Sequence, residues 1–201
     1  MSTSDAATLF AQSIADDDLA AVRRAIANGA DIEARNASRQ TPLVVATKAG
    51  RTAIAIALLE AGADPNAKDD LQDSAYLYAG AEGLDDILER TLAFGADLTS
   101  TNRYGGTALI PACERGHVET VKTLLAAGVA VNHVNKLDWT ALHEAIVLGD
   151  GSDRYVDVVR LLLAAGADAA IPDGEGVLPR QLAADRGYAA IVAEIDKHAS
   201  A

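Results

Sequence analysis

The residues able to do chemistry are few in this chain and poorly spaced for it. Its four histidines are His117, His133, His143 and His198. No two stand at the i, i+4 spacing that sets a pair of imidazoles around zinc on one helix face. Cys113 is the only cysteine, so neither an intrachain disulfide nor a cysteine-rich zinc site can form. No G-x-S-x-G turn raises a serine nucleophile, and no glycine-rich loop runs into lysine to cradle a phosphate. Gly149-Asp150-Gly151-Ser152-Asp153 has the residue types of a calcium loop but lacks its alternating ligands and closing glutamate. Asn102-Arg103-Tyr104-Gly105-Gly106 sets an arginine beside an aromatic ring, a pairing able to clamp a carboxylate or phosphate. These patterns support no catalytic residue, no metal and no cofactor. The chain reads as a non-enzyme.

What organises the residues is a period. Thr8, Thr41, Ser74, Thr107 and Thr140 are each 33 residues apart, and so are Gly29, Gly62, Gly95 and Gly128. A fixed step of this size marks stacked units, none of which can bury its apolar face alone. Half the residues are hydrophobic, only 4% are aromatic, and alanine dominates the apolar set. That composition suits helices packed closely over small side chains.

In the stretch Thr107 to Gly128, Thr107 is expected to cap a first short helix. Gly116 closes that helix in the left-handed conformation. Val118, Val121, Leu124 and Leu125 recur on one face of a second helix, which Gly128 ends. The polar run that follows, with Asn132, Asn135 and Asp138, predicts a hairpin reaching the next unit. Thr41-Pro42-Leu43 opens the second unit with proline in the first turn. Thr140-Ala141-Leu142-His143-Glu144-Ala145 is close to the T-P-L-H-x-A signature of a 33-residue repeat.

On these motifs the chain resembles the ankyrin-repeat family from about Thr8 to Val192. The resemblance implies an all-α solenoid of six helix-turn-helix units joined by β-hairpin-like loops. The whole chain, 1–201, is expected to form a single domain. Residues 8–40 would be an N-terminal cap repeat, 41–73, 74–106, 107–139 and 140–177 internal repeats, and 178–198 a C-terminal cap. Asp16-Asp17-Asp18 stands where the inter-helix glycine of the first unit belongs, and Asp196 occupies a normally apolar slot in the last. By the same resemblance His117 and His143 are structural hydrogen-bonding residues, and Cys113 fills a small buried slot. The fifth unit breaks the period. Gly128 and Gly166 are 38 apart, and the extra residues fall near 149–153, which two glycines and two aspartates mark as loop.

The resemblance also implies where a partner would bind: the hairpin tips and the exposed side of the first helices. One tip slot holds Leu71, Tyr104 and Leu137, with Asp70, Arg103 and Lys136 in the slot just before it. The slot before the capping residue holds Asp73 and Trp139. The first helices offer Tyr78, Arg115, Glu144, Val147 and Leu148, with Lys48, Glu82 and Glu114 in equivalent exposed slots. Exposed apolar groups rimmed by charge, with Trp, Tyr and Arg among them, mark a contact surface. Packing of neighbouring tips against each other is the competing role for the same rings. Tyr76, large for its slot and set beside the equally unusual Thr91, is compensated packing or a local recess.

The expected function is a non-catalytic interaction module, an adaptor for another protein. The alternative is a metabolite sensor using a recess around Tyr78, Arg103, Tyr104 and the insertion. A net charge of −12 argues against nucleic acid or an anionic membrane and favours a partner with a basic patch. A monomer is expected. Lack of a basic segment followed by an apolar run places the chain in the cytoplasm, or in the periplasm or outside the cell if a leader was removed. High alanine content and short connections look like a bacterial ankyrin protein.

Overall fold

Each repeat unit must hide one face of each helix, and the computed structural model shows how. It describes residues 3–199, with side chains from residue 7 onward. Among the described residues there are twelve α-helices and no strand. They are α1 (Thr3–Ala15), α2 (Leu19–Ala27), α3 (Pro42–Lys48), α4 (Thr52–Glu60), α5 (Ala75–Glu82), α6 (Asp85–Ala93), α7 (Leu109–Glu114), α8 (Val118–Ala127), α9 (Ala141–Val147), α10 (Asp153–Ala164), α11 (Pro179–Asp185) and α12 (Ala189–Ala199). From α3 onward short first helices alternate with longer second helices as the period predicts; in the first repeat the order is reversed, with 13 residues in α1 and 9 in α2.

By their internal contacts the residues fall into two units, Met1–Ala79 with Leu84–Asp97, and Gly80–Gly83 with Leu98–Ala201. In the first, α1 packs on α2 and α3, while α4 packs on α2, α3 and α6. Val22, Leu43, Ile54, Leu58, Ile87 and Leu88 are its buried centre. In the second, α9 lies between α7 and α11, and α10 lies between α8 and α12. Leu109, Val121, Leu124, Leu142, Val159, Leu162 and Ile191 fill that interior. Each such side chain contributes about 1.5–3 kcal/mol when fully removed from water.

The joining loops are tighter than hairpins with a strand ladder. Each tip is closed by one backbone bond spanning four residues: Asn36 N to Gln40 O, Asp69 N to Asp73 O, Asn102 N to Gly106 O, Asn135 N to Trp139 O and Asp173 N to Val177 O. The side chain of the same leading residue does the rest. Asn135 Oδ1 accepts from the backbone N–H groups of Leu137 and Trp139, at 2.8 and 3.1 Å. Asn36, Asp69, Asn102 and Asp173 repeat that double acceptance in their own tips. Asn and Asp favour such turns because a short side chain can replace a backbone acceptor.

Two local expectations fail. Thr107 does not cap a helix: α7 starts only at Leu109, and Thr107 Oγ1 is buried without a partner. The cause is Pro111. In the other units the residue at this slot donates its N–H to the capping residue's carbonyl, as Val45 does to Thr41, Tyr78 to Ser74 and Glu144 to Thr140. Proline has no N–H to give. Ile110 N–H takes the Thr107 carbonyl instead, at 3.2 Å, and is no longer free for the hydroxyl. The insertion also differs from a plain loop. Ser152 takes an extended conformation before α10, so Asp153, Arg154 and Tyr155 are helical. Counting back from Gly166, α10 therefore starts three residues earlier than α8 does relative to Gly128.

Candidate partner-binding surface

The tips project as expected in part. Leu71, Tyr104 and Leu137 are 52%, 52% and 53% exposed. Trp139, whose backbone N–H bonds Asn135 at the base of the tip, is half-buried rather than projecting.

In the first unit, Asp73 and Tyr78 belong to a polar cluster centred on Lys48. The Lys48 ammonium donates to Asp69 Oδ2 at 2.8 Å and to Asp73 Oδ2 at 2.7 Å, and lies 5.2 Å from the Tyr78 ring centroid. Asp69 is buried, and Gln40 Nε2 also donates to it, at 3.3 Å. Burial disfavours both charges, but the hydrogen bonds within the cluster outweigh it. Lys48 is held above its ordinary pKa and Asp69 below its own. Lys48, expected as an exposed first-helix residue, is thus a tie between α3 and the following tip.

In the second unit, two adjacent tips carry most of the expected residues. The Arg103 guanidinium stacks on the Tyr104 ring, 4.7 Å from its centroid. Three bonds join the tips: Lys136 N–H to Tyr104 O at 3.0 Å, Lys136 Nζ to Arg103 O at 3.0 Å, and His133 Nε2 with Gly105 O at 2.7 Å. The Lys136 stem crosses Gly105 so closely that a Cβ there would come within 3.0 Å of Lys136 Cγ, and Gly105 itself sits at φ +75°. The positive φ and the close approach both call for glycine.

The first-helix face is less open than its slots suggest. Arg115 is exposed but donates to Ala81 O at 2.6 Å and to Glu82 Oε1 at 2.9 Å. Val147 and Glu114 are half-buried, and Leu148 is 51% exposed. Glu144 is buried: its Oε1 accepts from Asn135 Nδ2 at 2.9 Å, joining the tip to α9. Burial, and after it the charge of Glu114, raises the Glu144 pKa to about 7. A partner can reach little of this carboxyl.

The insertion is braced by two tyrosines. Tyr155 donates to Glu114 O at 2.8 Å, and Tyr188 donates to Gly149 O at 2.9 Å. Their rings lie against Gly149 and Gly151, where any Cβ would strike them.

His143 and Cys113 are structural. His143 Nδ1 accepts from Thr140 N–H at 3.1 Å, and burial lowers the pKa of the ring. Cys113 is fully buried, and burial, then the Glu144 charge, pushes its thiol up. Among the described residues, no group of three His, Cys, Asp or Glu side chains could hold a metal ion. No helix among them is long and apolar enough to cross a membrane.

Sequence reasoning named Asn135 as a turn former in one unit but missed that an Asx residue builds every tip. Its signal was present, since 36, 69, 102 and 135 keep the step of 33 with only Asn or Asp.

Comparison with known proteins agrees with this architecture. Residues 76–173 match the family model for ankyrin repeats (3 copies), and residues 38–70 match the single ankyrin repeat. The chain is similar to the crystal structure of an ankyrin repeat domain from Acinetobacter baumannii AYE. The two share 53% identity over 94% of this chain and 97% of that one, with a TM-score of 0.92. It is also similar to the ankyrin repeat protein EF0377, at 36% identity over 94% and 97% of the two chains and a TM-score of 0.91. No curated protein matches the sequence. Repeat period, paired helices and family match together place this chain in the ankyrin-repeat family.

Proposed function

We propose that the chain is a non-catalytic, monomeric adaptor that docks another protein on its hairpin tips, with Leu148 and Arg115 at the margin. Ankyrin repeats are in general protein-binding modules, and the observation that carries the reading here is the pair of joined tips in the second unit. Tyr104 and Leu137 keep about half their surface in water, yet the backbone beneath them is fixed by the Lys136 and His133 bonds. An apolar group held ready in solvent loses little freedom when a partner covers it. Tyrosine and arginine at such a place are the usual energetic anchors of interfaces. Leu71 offers the same kind of group in the first unit, at a tip anchored by Asp69.

The test is quantitative affinity capture from a lysate of the source organism, comparing the native chain with Tyr104→Ala/Leu137→Ala. A protein retained by the first and lost by the second, at unchanged thermal stability, supports the reading. Equal retention by both would remove the tips from the interface.

A further inference from the structure

We propose that the joined tips of the second unit select a partner segment that is acidic, an apolar side chain flanked by carboxylates. This rests on the reading of the tips as a docking surface and adds the chemistry of the occupant. It reverses, for this surface, the basic partner suggested by the net charge of −12. The whole-chain charge describes the average field, whereas a docked segment meets the charges within a Debye length, about 8 Å at physiological salt.

Many cations of the chain are neutralised within the molecule. Lys48, Arg51, Arg90, Arg115, Lys122, Arg160 and Arg180 each meet a carboxylate within the molecule. Among the described residues Arg35 and Arg186 donate to backbone carbonyls instead, and Arg103 and Lys136 likewise meet no carboxylate; what sets the last two apart is the exposed apolar side chain that follows each. Among the described residues the Arg103 guanidinium has a ring beneath it, and the Lys136 ammonium has a backbone carbonyl. Both residues are exposed, and each immediately precedes an exposed apolar side chain, Tyr104 or Leu137.

The nearby acid does not cancel them. Asp138, on the same tip as Lys136, turns toward the following tip: its Oδ2 lies 3.0 Å from where a Gly174 Cβ would be. Lys136 reaches the opposite way, to Arg103 O. The Lys136 ammonium therefore lies against the first of these two tips, the one that carries Arg103. Stacking on Tyr104 leaves guanidinium edge donors for a carboxylate, the geometry in which arginine binds such groups best. The ammonium has three donors and spends one on Arg103 O. A segment that lays Leu, Ile or Phe across Tyr104 and Leu137 would bring flanking Asp or Glu onto both cations.

Selection of a random dodecapeptide display library on the immobilised full chain tests this, followed by measured affinities for the enriched peptides. The expected result is enrichment of peptides with Asp or Glu beside a large apolar residue. Their binding should weaken about tenfold in Arg103→Glu and again in Lys136→Glu, and should fall steeply with salt. Arg103→Gln and Lys136→Met, which keep the shape of the tips, should give smaller losses of the same sign. Enrichment of basic or neutral peptides that need Tyr104 and Leu137 but ignore these charge changes would overturn the acidic partner and leave the docking surface standing. If no enriched peptide depends on Tyr104 or Leu137, or none is enriched, the docking surface falls and the acidic partner with it.

Discussion

Asn135 and Glu144 are joined side chain to side chain, amide Nδ2 to carboxyl Oε1 at 2.9 Å, across nine residues of chain. The amide oxygen meanwhile holds two backbone N–H groups of the tip. One buried asparagine thus sets both the shape of a tip and its attachment to α9. The cost is a carboxyl kept out of water near a second one, Glu114.

That cost has a sign. Glu144 has a folded pKa of about 7 against an ordinary 4.5, so the folded chain binds this proton more tightly than the unfolded chain. The stabilisation is complete below pH 4.5 and is lost as pH rises through 7. Glu144→Gln keeps an acceptor for Asn135 and removes the charge. Urea denaturation should find the variant more stable than the native chain at pH 8 and nearly equal to it near pH 4.5. A native stability flat across this range, or the same slope in the variant, would show that Glu144 is not the group responsible.

The capping threonines should separate in the same assay. Thr41 Oγ1 accepts from Val44 N–H at 3.3 Å, whereas Thr107 Oγ1 is buried and unpaired. Thr41→Val is expected to cost about 1 kcal/mol, the usual worth of a lost cap. Thr107→Val removes a hydroxyl that has nothing to bond and should be neutral or slightly stabilising. Equal losses at both positions would contradict the role assigned to Pro111.

How much of this was legible in the sequence depended on the range of the interaction. The helix pairs and their glycine ends followed from the period, because local patterns repeat in every unit. The exposure of Leu71, Tyr104 and Leu137 followed from their tip slot in the family resemblance. The burial of Glu144 was hidden, since its partner lies on the far side of a turn. The failed cap at Thr107 turns on an N–H that Pro111, four residues away, does not have. The helical Asp153–Tyr155 segment is braced at Tyr155 by Glu114, 41 residues back, a distance no local pattern reports.

Tyr76 settles one expectation on the side of packing. It is fully buried with Thr91 also buried in the same unit, and its hydroxyl has no hydrogen-bond partner. Burial, then the charge of Asp97, pushes that phenol well above its usual range. Tyr76→Phe is therefore expected to leave thermal stability unchanged or raise it, whereas Tyr76→Ala should cost about 3–5 kcal/mol through the cavity it opens. A marked loss with phenylalanine would mean that the hydroxyl has a partner, such as a buried water.

Asp17 offers a stabilising change at the other end of the chain. It adopts φ 59°, close to the 66°, 69° and 67° of Gly50, Gly83 and Gly116, which stand at steps of 33 from it. The first unit thus keeps the left-handed turn between its helices with a residue that has a Cβ. For most residues this conformation costs about 1–2 kcal/mol, and for Asp somewhat less. Asp17→Gly removes that strain and gives up a contact to Arg51 at 3.4 Å, an exposed ion pair of little worth. Glycine also loses more freedom on folding, which offsets part of the gain. The balance should be a rise of about 0.5 kcal/mol, seen as a small increase in Tm. Asp17→Ala separates the causes: it loses the Arg51 contact while keeping the strain, so it should fall below the native chain. If alanine and glycine had equal effects, the left-handed turn would not be what limits the stability of this unit.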